Sequence, residues 1–380
     1  MSWNNKGKYD FYCETKLFSG QERMFLTGAC FISKKKEKSI LIINKENKAG
    51  IDFAKTEGDF KNIKYVDDFN DKFSSLVIWF RWVKILKLYR YLLKHNDVLC
   101  VSQGRIESGN IGIIAAKLAR RRVISYIPMV HTHIEMSGKK TINVIKDLLC
   151  KPLYKFPDCF ITISNAVKKE LSNHTSGNIK VVENFVQQKE PVQIADVPPA
   201  LYDEYIYKIV IPGRLINKQK GQLDFIQSFE KIQRKVNKKL ICYIIGDGPD
   251  YELFSNEIVT RKLEGSVILL GNRNDLLGIM KKSNLIVLPS RFEGVPLVLL
   301  EAASFNLKII ASDIVGFNDY LNPENLFKPY NIDSITEKTV EFINSDENGV
   351  GYKQALFNLL DRNVTHFVND FYNAVLAQKS

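Results

Sequence analysis

The sequence predicts an α/β protein built from two doubly wound parallel sheets with a cleft between them. Apolar runs of strand length alternate with helical periods along nearly all of the 380 residues, which implies right-handed crossovers and parallel strands. The length exceeds one typical core and suits two domains. The alternation dissolves once, between Gln187 and Tyr202, where Lys-Glu-Pro-Val-Gln-Ile-Ala-Asp-Val-Pro-Pro reads as a linker. The expected division is therefore residues 1–188 as a first Rossmann-like domain, 189–204 as linker and 205–362 as a second such domain. Residues 363–380 are expected to form a C-terminal helix packing back toward the first domain.

In the first half, Lys8–Glu14 reads as the opening strand, followed by a turn at Ser19-Gly20 and a helix from Gln21 to about Phe31. Ser39–Asn44 and Ile63–Val66 are short strands. A helix is expected within Ser75–Cys100, and Asp97–Ser102, Val123–Val130 and Cys159–Ser164 are strands. Ile111–Ala119, Lys139–Lys155 and Asn165–Ser172 have helical periods. The second half repeats the scheme with strands at Ile206–Pro212, Leu240–Gly246, Val267–Gly271, Leu285–Pro289 and Lys308–Ser312. Phe367, Val368, Phe371, Tyr372, Val375 and Leu376 then form one stripe of a terminal helix.

Six scattered cysteines with no C-x-x-C pattern favour a reducing, cytoplasmic setting, with Cys100, Cys159 and Cys242 as small core residues. The polar start Met1-Ser-Trp-Asn-Asn-Lys-Gly-Lys is unlike a signal peptide, and no apolar run reaches transmembrane length. The formal charge of +12 calls for an anionic partner. In Ser75–Cys100, Arg81, Lys84, Lys87, Arg90 and Lys94 fall on one helical face. Trp82, Ile85, Leu86, Tyr89, Leu92 and Leu93 fall on the other. Such a helix suits peripheral docking on an anionic membrane surface better than nucleic acid; a covering helix with a solvated basic face has the same pattern.

The chemistry concentrates in Pro289–Ala303, whose only carboxylates are Glu293 and Glu301. Glu301 interrupts an apolar run that reads as a buried helix, where an unpaired carboxylate loses several kcal/mol of solvation. Gly294 lets backbone approach a ligand, and Pro296 suits a first helical turn. The two glutamates then lie roughly 12 Å apart along a helix, with the anion-binding amides of the helix start between them. Carboxylate, anion site and carboxylate outline a sugar, a diphosphate and a ribose. Upstream, Gly213-Arg-Leu-Ile-Asn-Lys-Gln-Lys-Gly221 places Arg214, Lys218 and Lys220 just past a strand's carboxyl end, where phosphate binds. Gly246-Asp-Gly is a strand-end turn, and Gly271-Asn272-Arg273 ends the next strand with backbone able to face a base.

Together, Gly213-Arg-Leu…Lys-Gly221, Gly246-Asp-Gly-Pro249, Leu288-Pro-Ser290 and Glu293-Gly-Val-Pro-Leu…Glu301-Ala resemble the C-terminal domain of glycosyltransferase family 4. Ser19-Gly-Gln-Glu-Arg23, Ile163-Ser-Asn-Ala-Val167 and Val182-Glu-Asn-Phe185 extend the similarity through the first half. The resemblance implies a GT-B fold and a retaining, metal-independent transferase that uses nucleotide sugars, here a UDP-sugar. It implies that Glu293 holds hydroxyls of the donor sugar and Glu301 those of the ribose. Arg214 and Lys220, with Lys218 a rival, bind and stabilise the departing diphosphate. Gly213 and Gly246 flank that site, and the backbone of Gly294, Val295 and Leu297 contributes through the helix start at Pro296. Gly20 lets the first domain's loop approach the diphosphate. His131 orients the acceptor or transferred sugar, with His133 as rival. No cofactor is expected.

A glycoside hydrolase is disfavoured because its carboxyl pairs lie about 5–9.5 Å apart across one bond. No Asp-x-Asp occurs and no His/Cys cluster has metal spacing. The remaining readings are a lipid-linked or oligosaccharide acceptor in cell-surface polysaccharide synthesis, such as O-antigen or capsule, an epimerase of the same fold, or a non-catalytic partner subunit.

Overall fold

The computed structural model describes residues 9–36, 39–67, 81–94, 98–137, 140–186, 194, 199–345 and 351–376. The chain divides into a first unit, Met1–Asn184 with Val364–Ser380, and a second, Phe185–Asn363.

In the first unit the described strands are β1 (Tyr9–Cys13), β2 (Ile40–Asn44), β3 (Asn62–Val66), β4 (Val98–Ser102), β5 (Arg122–Tyr126), β6 (Cys159–Thr162) and β7 (Asn178–Val181). They pair in the order β3-β2-β1-β4-β5-β6-β7, and every pair is parallel. β1, β2 and β4 are buried along their whole length, which is why they read as largely apolar runs, broken in β1 by Asp10. The strand order reverses between β1 and β4, so their carboxyl ends open a crevice suited to a ligand. Asp10 on β1 and Arg121 before β5 form a buried ion pair at 3.1 Å.

The helix Gly20–Lys35 buries Phe25, Leu26, Ala29 and Ile32. Its Gly28 makes room for Phe371 of the terminal helix Val364–Leu376: a Cβ there would stand 2.4 Å from the Phe371 ring. Phe371 also meets Phe25 edge-on at 6.3 Å. The helix Lys48–Glu57 and the strand β7 were not anticipated from the sequence. The single helix expected over Lys139–Lys155 is instead divided into Thr141–Cys150 and a 3₁₀ turn, Lys151–Lys155, with Pro152 at the start of the turn. A short helix, His133–Ser137, precedes them.

Of the basic segment Ser75–Cys100, residues 75–80 and 95–97 lie outside the described residues. The helix Trp82–Leu92 buries Ile85, Leu88 and Leu92 against the helix Asn110–Leu118. Trp82, Leu86 and Leu93 are exposed, which corrects the expected apolar face. The buried stripe follows the spacing 85, 88, 92, so Leu86 and Leu93, one position away from it, turn to solvent alongside the lysines, and Trp82 is exposed as the first residue of the helix. Most of the expected linker 189–204 also lies outside the described residues.

The second unit contains β8 (Ile206–Pro212), β9 (Lys239–Ile245), β10 (Val267–Leu269), β11 (Leu285–Leu288), β12 (Ile309–Ser312) and β13 (Leu326–Phe327). Their order is β10-β9-β8-β11-β12-β13, again all parallel. Ile209, Ile211, Phe225, Phe229, Leu240 and Ile244 anchor its core. The order reverses between β8 and β11.

Candidate active site

The second unit assembles a polar site from the loops that leave β8 and β11, the two strands at its reversal point. Gly213 leaves β8 with φ +143° and its amide donates to Ile245 O at 2.9 Å. Gly246 leaves β9 with φ +151°, and a Cβ on it would stand 2.0 Å from Gly213 O. Both turns therefore favour glycine for conformation, and Gly246 requires it for space as well.

Beyond Gly213, buried Leu215 anchors the loop by donating its amide to Asp247 O at 2.9 Å. The Asn217 amide donates to the Asp250 carboxylate at 2.7 Å, starting the short helix Asn217–Lys220. That turn directs Lys220 Nζ onto Glu293 Oε1 at 2.5 Å. Ser290 Oγ donates to the same oxygen at 2.8 Å. The two loops are fastened elsewhere too. The Arg291 amide donates to Gln219 O at 2.7 Å, and its guanidinium reaches Asp224 at 2.8 Å while lying over the Tyr330 ring.

Glu293 is only 8% exposed, and Lys220 and Ser290 both stabilise its buried charge. Pro296 caps the helix Leu297–Ser304 from outside. Glu301 on that helix is half-buried, whereas Leu299, Leu300, Ala302 and Ala303 are buried. The burial argument made for Glu301 thus applies to Glu293. The apolar residues around position 301 occupy the inner side of the helix and leave its carboxylate at the boundary.

Lys218 and Lys220 separate clearly: Lys220 meets Glu293, and Lys218 is exposed. Arg214 is exposed, and among the described residues its guanidinium pairs with no carboxylate. Arg273 is held by Asp275 through two bonds, 2.8 and 2.6 Å, and Asn272 is exposed. Gly294, Val295 and Pro296 are buried and Leu297 is half-buried.

In the first unit, Gly20 opens the helix Gly20–Lys35, whose start is fixed by the Ser19 amide donating to Glu22 at 3.1 Å. His131 and His133 follow β5 and line one cavity of about 50 Å³ with Arg105, Glu107, Asp147 and Cys150. His133 Nε2 lies 2.8 Å from Glu107, which also meets Arg105 at 2.8 Å. Burial raises the Glu107 carboxyl, but the His133 hydrogen bond and the Arg105 charge outweigh it and hold it below its ordinary range. His131 Nδ1 stands 3.7 Å from Glu170, a looser contact.

Residues 201–355 match the family described as glycosyl transferases group 1. The second unit is a group 1 glycosyltransferase domain. The chain is 29% identical over 281 residues to an uncharacterised glycosyltransferase of Methanocaldococcus jannaschii, covering 67% of this chain and 66% of that protein. It is 28% identical over 257 residues to the UDP-Gal:alpha-D-GlcNAc-diphosphoundecaprenol alpha-1,3-galactosyltransferase of Escherichia coli, covering 62% of each. These matches span just under two thirds of either relative's length. The solved structure of the lipopolysaccharide outer core galactosyltransferase WaaB is similar with a TM-score of 0.65 at 22% identity. It covers 98% of this chain and 99% of that one. The fold is GT-B, with a Rossmann-like unit in each half.

The glycosyltransferase domain contains site neighbours that the sequence did not single out. Ser290 shares the Glu293 oxygen with Lys220. Gly316 lies under the Glu293-Gly294 backbone, where a Cβ would stand 2.5 Å from Gly294 O. Ser290 sits in the Leu288-Pro-Ser motif next to Glu293 and was within reach of a sequence argument. Gly316 lies in Val315-Gly-Phe-Asn-Asp319, a segment visible in the sequence, but its close approach to Gly294 O depends on the fold.

Proposed function

We propose that the chain is a retaining glycosyltransferase. It moves a sugar from a UDP-sugar to a hydroxyl of a lipid-linked saccharide during cell-surface polysaccharide synthesis, with no metal required at the donor. The observation that carries this reading is the Lys220–Glu293 pair at the reversal point of the domain's sheet. Lys220 is held where Glu293 fixes its direction, so the cation is preorganised for a diphosphate. As the bond from the sugar's anomeric carbon to the phosphate oxygen breaks, negative charge grows on that oxygen. Lys220 and the exposed Arg214 supply the compensating charge. Glu293 accepts from the donor sugar's hydroxyls, and Glu301 from the ribose. His131 or His133 orients the acceptor. The name of the Escherichia coli relative, with its UDP-linked donor and diphosphoundecaprenol-linked acceptor, supports this choice of substrates.

Membrane-surface docking belongs to the same proposal. The helix Trp82–Leu92 and the residues after it expose Trp82, Val83, Leu86 and Leu93 beside Lys84, Lys87, Arg90 and Lys94. The helix Thr141–Cys150 exposes Ile142, Ile145 and Leu148 as well. No helix among the described residues is long and apolar enough to cross a membrane. Neutralising Lys84, Lys87 and Arg90 to Gln removes about 3 kcal/mol of attraction to anionic lipid at roughly 1 kcal/mol per charge. Co-sedimentation with phosphatidylglycerol vesicles should then fall on the order of 100-fold; unchanged binding refutes this docking face.

The transfer reading is tested with Glu293→Ala, by UDP release from UDP-sugars in the presence of a lipid-linked saccharide. Turnover should be lost while circular dichroism is unchanged. Unaltered turnover overturns the reading, and sugar conversion without any acceptor points to an epimerase.

A further inference from the structure

We infer that the first unit holds a divalent transition metal of the zinc class on Glu107, His133 and Cys150. The three ligand atoms, one carboxylate oxygen, one imidazole nitrogen and one sulfur, lie within 4.8 Å of one another. Tetrahedral zinc with bonds of about 2.0–2.3 Å needs ligand atoms roughly 3.4–3.8 Å apart, which small side-chain rotations provide. The mixed set of oxygen, nitrogen and sulfur suits zinc or cobalt, whereas magnesium and calcium take oxygen alone.

Two further features make these residues a site. Asp147, one turn before Cys150 on the helix Thr141–Cys150, accepts the amides of His133 and Ile134 at 2.6 and 3.0 Å. It thereby fixes the backbone that carries the imidazole. The three residues also line the cavity of about 50 Å³, which has room for a water as fourth ligand. All three are largely or fully buried: Cys150 is 4% exposed and the Glu107 and His133 side chains 8% and 11%. The neighbouring group His131, Glu135 and Glu170 lacks a sulfur and includes an exposed carboxylate.

The ligands come from the loop after β4, the first residue of the short helix His133–Ser137 and the end of the helix Thr141–Cys150, so a metal would tie three segments of the first unit together. The inference is independent of the donor site, and nucleotide binding by the second unit tests that reading separately. The experiment is titration of the metal-stripped full chain with Co²⁺. One Co²⁺ per chain should bind with a thiolate-to-cobalt charge-transfer absorption, and Zn²⁺ should displace it. Cys150→Ser should abolish the absorption while circular dichroism is retained. Asp147→Asn should weaken binding, because Asp147 holds the backbone amides of His133 and Ile134. Absence of the absorption in the unmodified chain, or its persistence in Cys150→Ser, overturns the proposal.

Discussion

Replacing Lys220 with Ala separates two effects that the structure joins at one atom. Glu293 is buried and receives Lys220 at 2.5 Å and Ser290 at 2.8 Å on the same oxygen. Removing one partner of a buried pair costs about 3–5 kcal/mol, because a charge is left without compensation. Ser290 still donates, so the low end applies, about 3 kcal/mol. For a domain of this size that lowers Tm by roughly 6–12 °C. Loss of one preorganised charge at the departing diphosphate should also cut kcat by about 10²–10³-fold. The double variant Lys220→Ala/Glu293→Gln removes the stranded charge. It should recover most of the stability in a calorimetric scan and none of the turnover. If Lys220→Ala keeps kcat within about tenfold, or if the double variant melts as low as the single one, the pair does not have the role argued for it.

Other predictions follow from the same geometry. Gly246→Ala forces a Cβ to within 2.0 Å of Gly213 O at a φ of +151°, so the variant should lose UDP binding by calorimetry and melt at least several degrees lower. Gly28→Ala drives a Cβ into the Phe371 ring, and overpacking of this kind should cost about 1–3 kcal/mol in denaturant unfolding. Asp10→Ala strands the buried Arg121 and should cost about 3–5 kcal/mol in the same assay. Burial pushes the thiols of Cys13 and Cys30 up to about 12, so neither should react with a disulfide reagent at pH 8 in the native protein. Six thiols should titrate after unfolding without reductant.

The strands that position the site were legible because their burial is continuous. β1, β4, β8 and β11 are mostly apolar segments bounded by turn residues, with Asp10 in β1 and Lys208 in β8 as the charged exceptions, and the sequence alone places them within one or two residues. The helix Asn165–Ser172 was legible through its cap, since Ser164 Oγ accepts the Val167 amide at 3.2 Å. The helix Lys48–Glu57 was not, because its start is set from a distance. Asn47 accepts the Gly50 amide and also reaches the Thr15 and Leu17 carbonyls at 3.0 and 3.1 Å. β7, Asn-Ile-Lys-Val, is a partly exposed edge strand with little apolar signal.

In the candidate site, the residue types and their loops were visible in the sequence, while the pairing was not. Lys218 and Lys220 stand two residues apart, and only the turn of Asn217–Lys220 decides which one meets Glu293. The group Glu107, His133 and Cys150 was invisible to any spacing rule, since its members come from three segments that converge only in the folded first unit.

The central claim, that the glycosyltransferase domain binds a nucleotide sugar between Arg214, Lys220, Glu293 and Glu301, is tested most directly by thermal unfolding of the full chain with UDP-, GDP- and ADP-sugars. At about 100 times Kd a donor should add roughly 2.7 kcal/mol to the stability of the unmodified chain, visible as a Tm rise of several degrees. UDP-sugars are predicted to give this rise, and Glu293→Ala to diminish it. No shift with any nucleotide sugar would contradict the account.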